Sequence, residues 1–264
     1  MQLLRYFGAF LLWNIAASLA LVLLPPIPAI LIALGLAAVL LWGYLLRGAE
    51  PDGNRGLLRL HPLEGPALRW TLAAIPVLLV FNWALGEVYI HLVPVPAENF
   101  DPFAELMSDA PGRLAITVLA VGMAPLLEEL VFRGLIQGAA ERRWGGAAGI
   151  FAAALLFAVV HFRPWVLPLH VFLGLSFGYA VYATRSVLAG VILHAANNAA
   201  AMLGTAAAED PTGTVPTLWT TGPTAEWWAA LLVAIASGVA LVAVAVQLWK
   251  ARPESGLRHA VADG

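Results

Sequence analysis

The sequence predicts an all-α protein, a polytopic transmembrane helical bundle of about eight spans with both termini cytoplasmic. Of its 264 residues, 61% are apolar and 11% are charged, whereas soluble domains average about 45–50% apolar and about 25% charged residues. The mean hydropathy is +0.84. Apolar stretches close to the roughly 20 residues that a helix needs to cross a bilayer recur along the whole chain. We therefore expect a single membrane domain over residues 1–264.

The candidate spans follow one another with short breaks. They cover about residues 7–24, 27–46, 70–92, 113–138, 146–162, 165–183, 187–204 and 227–249. Pro25 and Pro26 separate the first two spans, because proline removes a backbone donor and interrupts a helix. Gly145 and Pro164 separate the fourth, fifth and sixth. The first apolar run exceeds the usual 7–15 residues of a signal peptide, so we expect it to be retained as a span.

The distribution of Arg and Lys predicts the orientation of the bundle, because cytoplasmic loops are enriched in basic residues. Eight spans bring nearly all basic residues to one side, namely Arg5, Arg47, Arg55, Arg59, Arg69, Arg142, Arg143, Arg185, Lys250, Arg252 and Arg258. The connections on the other side are acidic, with Glu98, Asp101, Glu105, Asp109, Glu209, Asp210 and Glu226. We expect the basic side to be cytoplasmic.

Charge and the lack of cysteine exclude several classes of function. A net charge of −2, with the basic residues in short clusters, argues against a nucleic-acid partner, and we expect no nucleotide partner either. Without cysteine the chain has no disulfide, thiolate metal site or cysteine nucleophile. The alanine- and arginine-rich composition is typical of bacterial proteins, so we expect a multi-pass protein of the bacterial inner (plasma) membrane, with the lipid bilayer as its surroundings.

The fourth span contains three ionisable residues, Glu128, Glu129 and Arg133. Such a residue inside a span costs about 2.5–3.5 kcal/mol on insertion scales and marks a candidate functional site. Glu129 and Arg133 lie four residues apart on one helix face, where they can pair. Glu128 points about 100° away and has no obvious local partner, which favours it as a reactive carboxylate. The alternative is that Arg133 bridges both glutamates as a purely structural contact.

Two other spans carry polar side chains of their own. The fifth ends with His161, one turn after Phe157, and the seventh carries His194 and Asn198 on one face. Each alone is explained as a packed histidine or as an amide that bonds a neighbouring helix. Together with Glu128, they form a set that can activate water and stabilise an oxyanion. A divalent metal such as zinc, bound by Glu128, His161 and His194, is the second possibility.

The sixth span has features that indicate helix packing and not chemistry. Gly174 and Gly178 form a small-xxx-small pair that predicts close helix packing. His170 lies on the same span, and we expect it to be an interior histidine with its hydrogen bonds satisfied.

Three segments resemble motifs of the CPBP family of intramembrane proteases, also called the Abi or CAAX-protease family. Residues 128–133 (EELVFR) resemble its EExxxR motif, 157–161 (FAVVH) its FxxxH motif and 194–198 (HAANN) its HxxxN motif. The resemblance covers about residues 113–204, which we expect to be the catalytic core of the bundle. Three motifs in order, each on its own span, are more specific than any one of them.

The resemblance implies an intramembrane endopeptidase that hydrolyses a peptide bond of a membrane-anchored protein or peptide. By motif position it implies water activation by Glu128 with His161, oxyanion stabilisation by His194 with Asn198, and structural support by Glu129 with Arg133. The family is often labelled a metalloprotease family, and a metal-free glutamate mechanism is also proposed for it. Using Glu128 as a ligand would leave no separate carboxylate as base, which favours a reaction without an obligatory metal.

Two other classes of function compete with this interpretation. The chain could be a non-catalytic membrane immunity or scaffold protein that keeps the polar cluster as helix–helix glue. A proton-relaying transporter is less consistent, because the chain lacks the repeated halves expected there. An unpaired buried carboxylate facing two histidines favours the protease. The bacterial composition predicts a substrate without a prenyl group.

Overall fold

The computed structural model describes residues 2–40, 58–93, 109–207 and 218–252, and within these ranges the chain is helical with short turns. The helices are α1 (Gln2–Leu23), α2 (Pro26–Leu40), α3 (Gly65–Leu92), α4 (Ala110–Trp144), α5 (Gly146–Val159), α6 (Leu167–Thr184), α7 (Val187–Ala207), α8 (Leu218–Thr221) and α9 (Ala225–Lys250). A short 3₁₀ turn at Pro164–Val166 leads into α6. The predicted all-α class is confirmed for the described part of the chain.

A helix lies at each of the predicted spans. By length and composition, α3, α4, α9 and the segment Pro164–Thr184 are long and apolar enough to cross a membrane. The other four contain shorter apolar stretches, Phe7–Ala20, Ile27–Leu40, Gly146–Val159 and Val187–Leu203. The number of spans and the side of the termini therefore stay predictions. Much of the basic loop after α2 and of the acidic segment before α4 lies outside the described residues.

The helix ends follow ordinary capping chemistry. Asp109 precedes α4, and its carboxylate accepts a hydrogen bond of 2.7 Å from the Gly112 backbone N–H. Thr224 precedes α9, and its hydroxyl accepts one of 3.2 Å from the Trp227 N–H. These bonds satisfy amide groups that the first turn of a helix leaves unpaired. Gly145 separates α4 from α5 with φ at 86°, a left-handed conformation that favours glycine.

Helix α5 ends earlier than the sequence predicts. We expected the fifth span to reach residue 162, but the helix stops at Val159. Phe162 adopts φ of 51°, and Pro164, which has no N–H to continue a helix, follows it. His161 therefore lies in the turn after α5.

Aromatic rings connect α1, α4, α5 and α6 in the centre of the bundle. Phe10 meets Phe132 edge to face at 5.2 Å between ring centroids, Phe132 meets Phe157 at 5.6 Å, and Phe157 meets Phe177 at 6.4 Å. All four side chains are buried. Around this core α9 packs along α3 and α6 packs along α5. Apolar side chains such as Leu232 and Val239 face outward, as expected of helices that face lipid.

Gly174 and Gly178 confirm the predicted close packing of the sixth span. A Cβ atom at Gly174 would lie 2.8 Å from the Ala154 Cα of α5, and one at Gly178 would lie 2.8 Å from Gln137 Oε1 of α4. The bare backbone also exposes two carbonyl groups to α4. Gly174 O accepts a hydrogen bond from Arg133, and Gly178 O accepts one from Gln137. The two glycines therefore let α6 bind polar side chains of α4 through its backbone.

Candidate active site

Helix α4 is irregular where its glutamates lie. Its first and last turns are α-helical, but Val118–Met123 and Leu130–Ile136 are wound as π-helix, with a single α-helical segment, Ala124–Glu129, between them. Glu128 and Glu129 end that segment. Short π-helical stretches are rare and occur frequently at functional sites. The period of the sequence pattern predicts a regular helix and does not reveal this change of winding.

Glu129 and Arg133 form the ion pair that their spacing predicts. Arg133 Nη1 donates a hydrogen bond of 2.8 Å to Glu129 Oε1, and both side chains are completely buried. Arg133 Nη2 also donates a hydrogen bond of 3.2 Å to Gly174 O, and the guanidinium lies 4.3 Å from the ring centroid of Phe157. Partners from three helices therefore hold this cation.

His194 connects the two glutamates, a contact that the sequence analysis does not predict. Its Nδ1 lies 3.0 Å from Glu129 Oε1, and its Nε2 lies 3.9 Å from Glu128 Oε2. Phe177 stacks against the imidazole at 4.9 Å, which fixes the plane of the ring. Because an ionised carboxylate only accepts hydrogen bonds, we assign a proton to Nδ1. Glu129 thus orients His194 so that Nε2 faces Glu128.

Gly190 makes room for Glu129 one turn before His194. A Cβ atom there would overlap Glu129 Oε2 and would lie 2.9 Å from Val181 Cγ2. We expect Gly190→Ala to lower the free energy of unfolding by about 1–3 kcal/mol, the usual cost of overpacking, as measured by thermal unfolding in detergent. Gly86→Ala is the matched control, because a Cβ at Gly86 meets no atom within 4 Å. Equal melting temperatures for both variants would contradict this account of Gly190.

The four side chains predicted to carry the chemistry line one cavity of about 570 Å³. They are Glu128, His161, His194 and Asn198. Glu128 is only 7% exposed, and its Oε2 has no hydrogen-bond partner among the described residues. Helix α1 also contributes Trp13 and Asn14 to the wall, which the motifs do not indicate.

His161 reaches this cavity from the turn after α5. Its Nδ1 lies 2.7 Å from the Phe157 carbonyl oxygen. A carbonyl only accepts, so we assign the proton of the neutral ring to Nδ1 and a free lone pair to Nε2. The ring of His170 lies 4.4 Å away and also lines the cavity. His170 does have the hydrogen bond we expected, to Val166 O at 3.1 Å, but its place beside His161 depends on the turn between α5 and α6.

Asn198 bonds to the backbone carbonyl of Ala120 in α4. The irregular winding of α4 leaves this carbonyl without a hydrogen bond from an N–H group of its own helix. Ala124 N–H bonds to Leu119 O, and Pro125, the next residue, has no N–H to offer Ala120 O. Asn198 Nδ2 donates a hydrogen bond of 2.8 Å to that oxygen. This orients the amide, and one N–H of its NH₂ group stays available.

The possible metal ligands do not form a metal-binding set in this arrangement. Within the described parts of the chain, no group of three or more His, Asp or Glu side chains is placed to hold a metal ion. The Nδ1 atoms of His161 and His194 bond to Phe157 O and Glu129, so any metal would be bound through Nε2 of each ring. As placed among the described residues, Glu128, His161 and His194 do not form a three-ligand zinc centre.

A family model matches residues 110–200, and its description is type II CAAX prenyl endopeptidase Rce1-like. The matched region spans the site from α4 to α7 and includes the three motifs. No curated protein and no solved structure matches the chain. The described residues include four helices long and apolar enough to cross a membrane, so the chain is an integral membrane protein, and its residues 110–200 are similar to the CAAX (CPBP) family of intramembrane proteases.

Proposed function

We propose that this protein hydrolyses a peptide bond of a membrane-anchored protein or peptide, using a water molecule activated by Glu128 with His161. The site residues lie in the core 113–204 of a single membrane domain. One observation carries this function, the convergence of four polar side chains from three parts of an apolar bundle on one cavity. The family match supports peptidase activity in general.

Two acceptors are available for the attacking water. The Glu128 carboxylate has a buried oxygen without a hydrogen-bond partner among the described residues, and His161 Nε2 carries a lone pair because Nδ1 donates to Phe157 O. A water molecule has two O–H groups and can donate one to each acceptor. As its oxygen attacks the scissile carbonyl carbon, Glu128 takes the proton and later transfers it to the leaving amine.

Two donors suit the oxygen of the carbonyl as it becomes an oxyanion. Asn198 keeps one N–H beyond the bond to Ala120 O. His194 donates from Nδ1 to Glu129, and its imidazolium form, which holds both ring protons before and after the attack, donates from Nε2 to the oxyanion. Donors fixed before the reaction stabilise the developing charge without reorganising. The role of Glu129 is therefore to position His194, and the role of Arg133 is to hold Glu129.

The cavity wall suits a peptide in an apolar environment. Ile116, Leu119, Leu173 and Trp13 line it beside the polar set, so an extended peptide can place its carbonyl at Glu128 and its side chains against apolar groups. The family description is that of a CAAX prenyl endopeptidase, whereas the composition of this chain leads us to propose a substrate without a prenyl group.

Comparison of membranes with and without this protein tests the function. We expect at least one membrane-anchored protein to accumulate uncleaved in a deletion strain, and the purified protease in liposomes to cleave it. The controls are prenylated and unprenylated peptides spanning the same bond. If quantitative analysis of protein termini finds no cleavage that depends on the chain, hydrolysis is excluded and the scaffold function gains support.

We expect cleavage to survive removal of metal ions. Activity of the purified protein should change by less than about twofold after exhaustive chelation, because the three candidate ligands do not form a metal-binding set and a catalytic zinc site usually requires three protein ligands. Elemental analysis of the same sample is the control. One equivalent of zinc that is lost and restored together with activity would overturn the metal-free mechanism.

A further inference from the structure

A second cavity, of about 260 Å³, lies at the far end of α4 from the candidate active site. Its wall contains four arginines, one carboxylate and one tyrosine, namely Arg59, Arg142, Arg185, Arg252, Glu141 and Tyr182. Glu141 is 13 residues beyond Glu128, a distance of about 20 Å along a helix. The protease function does not use this cavity.

Among the described residues, the charges around the cavity do not balance. Glu141 pairs with Arg59, which leaves three further guanidinium groups at the cavity. Arg59 Nη1 is buried and has no hydrogen-bond partner in the described structure. Burial and the neighbouring cations of Arg252 and Arg59 lower the pKa of Arg185. An anion in the cavity would relieve this repulsion and provide an acceptor for Arg59.

The backbone holds two of these arginines in a conformation that favours glycine. Arg59 has φ of 51° and Arg185 has φ of 59°. The two turns are joined by a hydrogen bond of 3.0 Å from Val187 N–H to Arg59 O and one of 2.7 Å from the Ser186 hydroxyl to His61 O. Left-handed residues at helix ends are usually glycine, and strained non-glycine residues cluster at ligand clamps. Arginine at both positions indicates that the side chains have a function there.

The surroundings of the cavity are those of a membrane interface. Arg252 stacks on the rings of Tyr182 and Trp249, at 4.8 and 4.6 Å. Trp144 and Trp249 are exposed, and aromatic side chains at helix ends are typical of the boundary between lipid and water. The same end of the bundle carries the basic residues that predict the cytoplasmic side, where basic pockets between helices bind anionic lipid headgroups.

We propose that the arginine cavity formed by Arg59, Arg142, Arg185 and Arg252 binds the phosphate group of an anionic phospholipid. Planar guanidinium groups pair with phosphate oxygens through two parallel hydrogen bonds. The cavity accommodates the headgroup phosphate, and the acyl chains lie along the exposed apolar surface that continues from Trp249.

The test is lipid binding by the purified full-length protein. Native mass spectrometry and thermal unfolding are followed as phosphatidylglycerol is titrated against a phosphatidylcholine background. The double variant Arg185→Gln/Arg252→Gln should bind phosphatidylglycerol at least about tenfold more weakly, because the loss of a single charged hydrogen bond already weakens binding by roughly that factor. Arg143→Gln is the matched control, because this exposed neighbour of Arg142 does not line the cavity.

Two further measurements deal with a variant that fails to fold and with binding of free phosphate. Arg142→Gln, at an exposed position, replaces the double variant if that one fails to fold, and it should also weaken binding while Arg143→Gln does not. If the cavity variants and the control variant lose the same affinity for phosphatidylglycerol, the proposed site is wrong. Inorganic phosphate is titrated in parallel, and protection by phosphate that equals protection by phosphatidylglycerol would overturn the assignment to lipid.

Discussion

Glu128→Gln is expected to lower kcat/KM by about 10²–10⁴-fold, the usual contribution of a general base, and to leave the melting temperature nearly unchanged. Glutamine keeps the shape of the side chain but does not accept a proton at neutral pH. The free energy of unfolding should change little, because Glu128 Oε2 has no hydrogen-bond partner in the described structure. His194 Nε2 lies 3.9 Å away, which is too far for a hydrogen bond. Cleavage of a membrane-anchored peptide in liposomes, with thermal unfolding of the same preparation, measures both effects.

Glu87→Gln is the matched control for this variant. Glu87 is a half-buried glutamate of α3, and it does not line the cavity. We expect it to keep native activity. A Glu128→Gln protein that melts as early as a variant of the buried ion pair would show that Glu128 is structural. A stable variant with native activity would exclude Glu128 as the base.

Glu129→Gln is expected to lower the free energy of unfolding by about 3–5 kcal/mol, as is usual when one partner of a buried ion pair is removed. The substitution leaves the fully buried guanidinium of Arg133 without its carboxylate and removes the charged partner of His194 Nδ1. We expect a low yield of detergent-solubilised protein and a lowered melting temperature. The loss of activity should be at least as large as the loss of folded protein.

The double variant Glu129→Gln/Arg133→Met separates charge from packing. Removing both charges eliminates the uncompensated cation, so this protein should be more stable than Glu129→Gln alone. Its activity should stay low, because His194 is no longer held by a carboxylate. If the double variant is no more stable than the single one, the instability does not arise from an unpaired Arg133.

Features that depend on neighbours along one helix could be predicted from the sequence. The Glu129–Arg133 pair is confirmed at 2.8 Å, and Phe157 lies against His161 with ring centroids 4.7 Å apart. The first follows from the 3.6-residue period, which brings residues four apart to the same face. The second holds although His161 lies in the turn after α5, because Val160 continues the right-handed winding of the helix. The positions of the helices were also predictable, because the apolar runs and the Gly and Pro breaks between them are local properties.

Other features depend on how the helices pack and could not be read from the chain. The bond of His194 to Glu129 spans 65 residues and that of Asn198 to Ala120 spans 78, so each depends on the rotation and depth of α7 against α4. The π-helical winding frees Ala120 O, and the turn that ends α5 brings His161 beside His170. The sequence by itself thus determined which residue types are available to the site and, except for His161, which helix carries each. Only the tertiary structure decided which atoms meet, because a hydrogen bond tolerates a few tenths of an ångström whereas a periodic pattern specifies a helix face only to within tens of degrees.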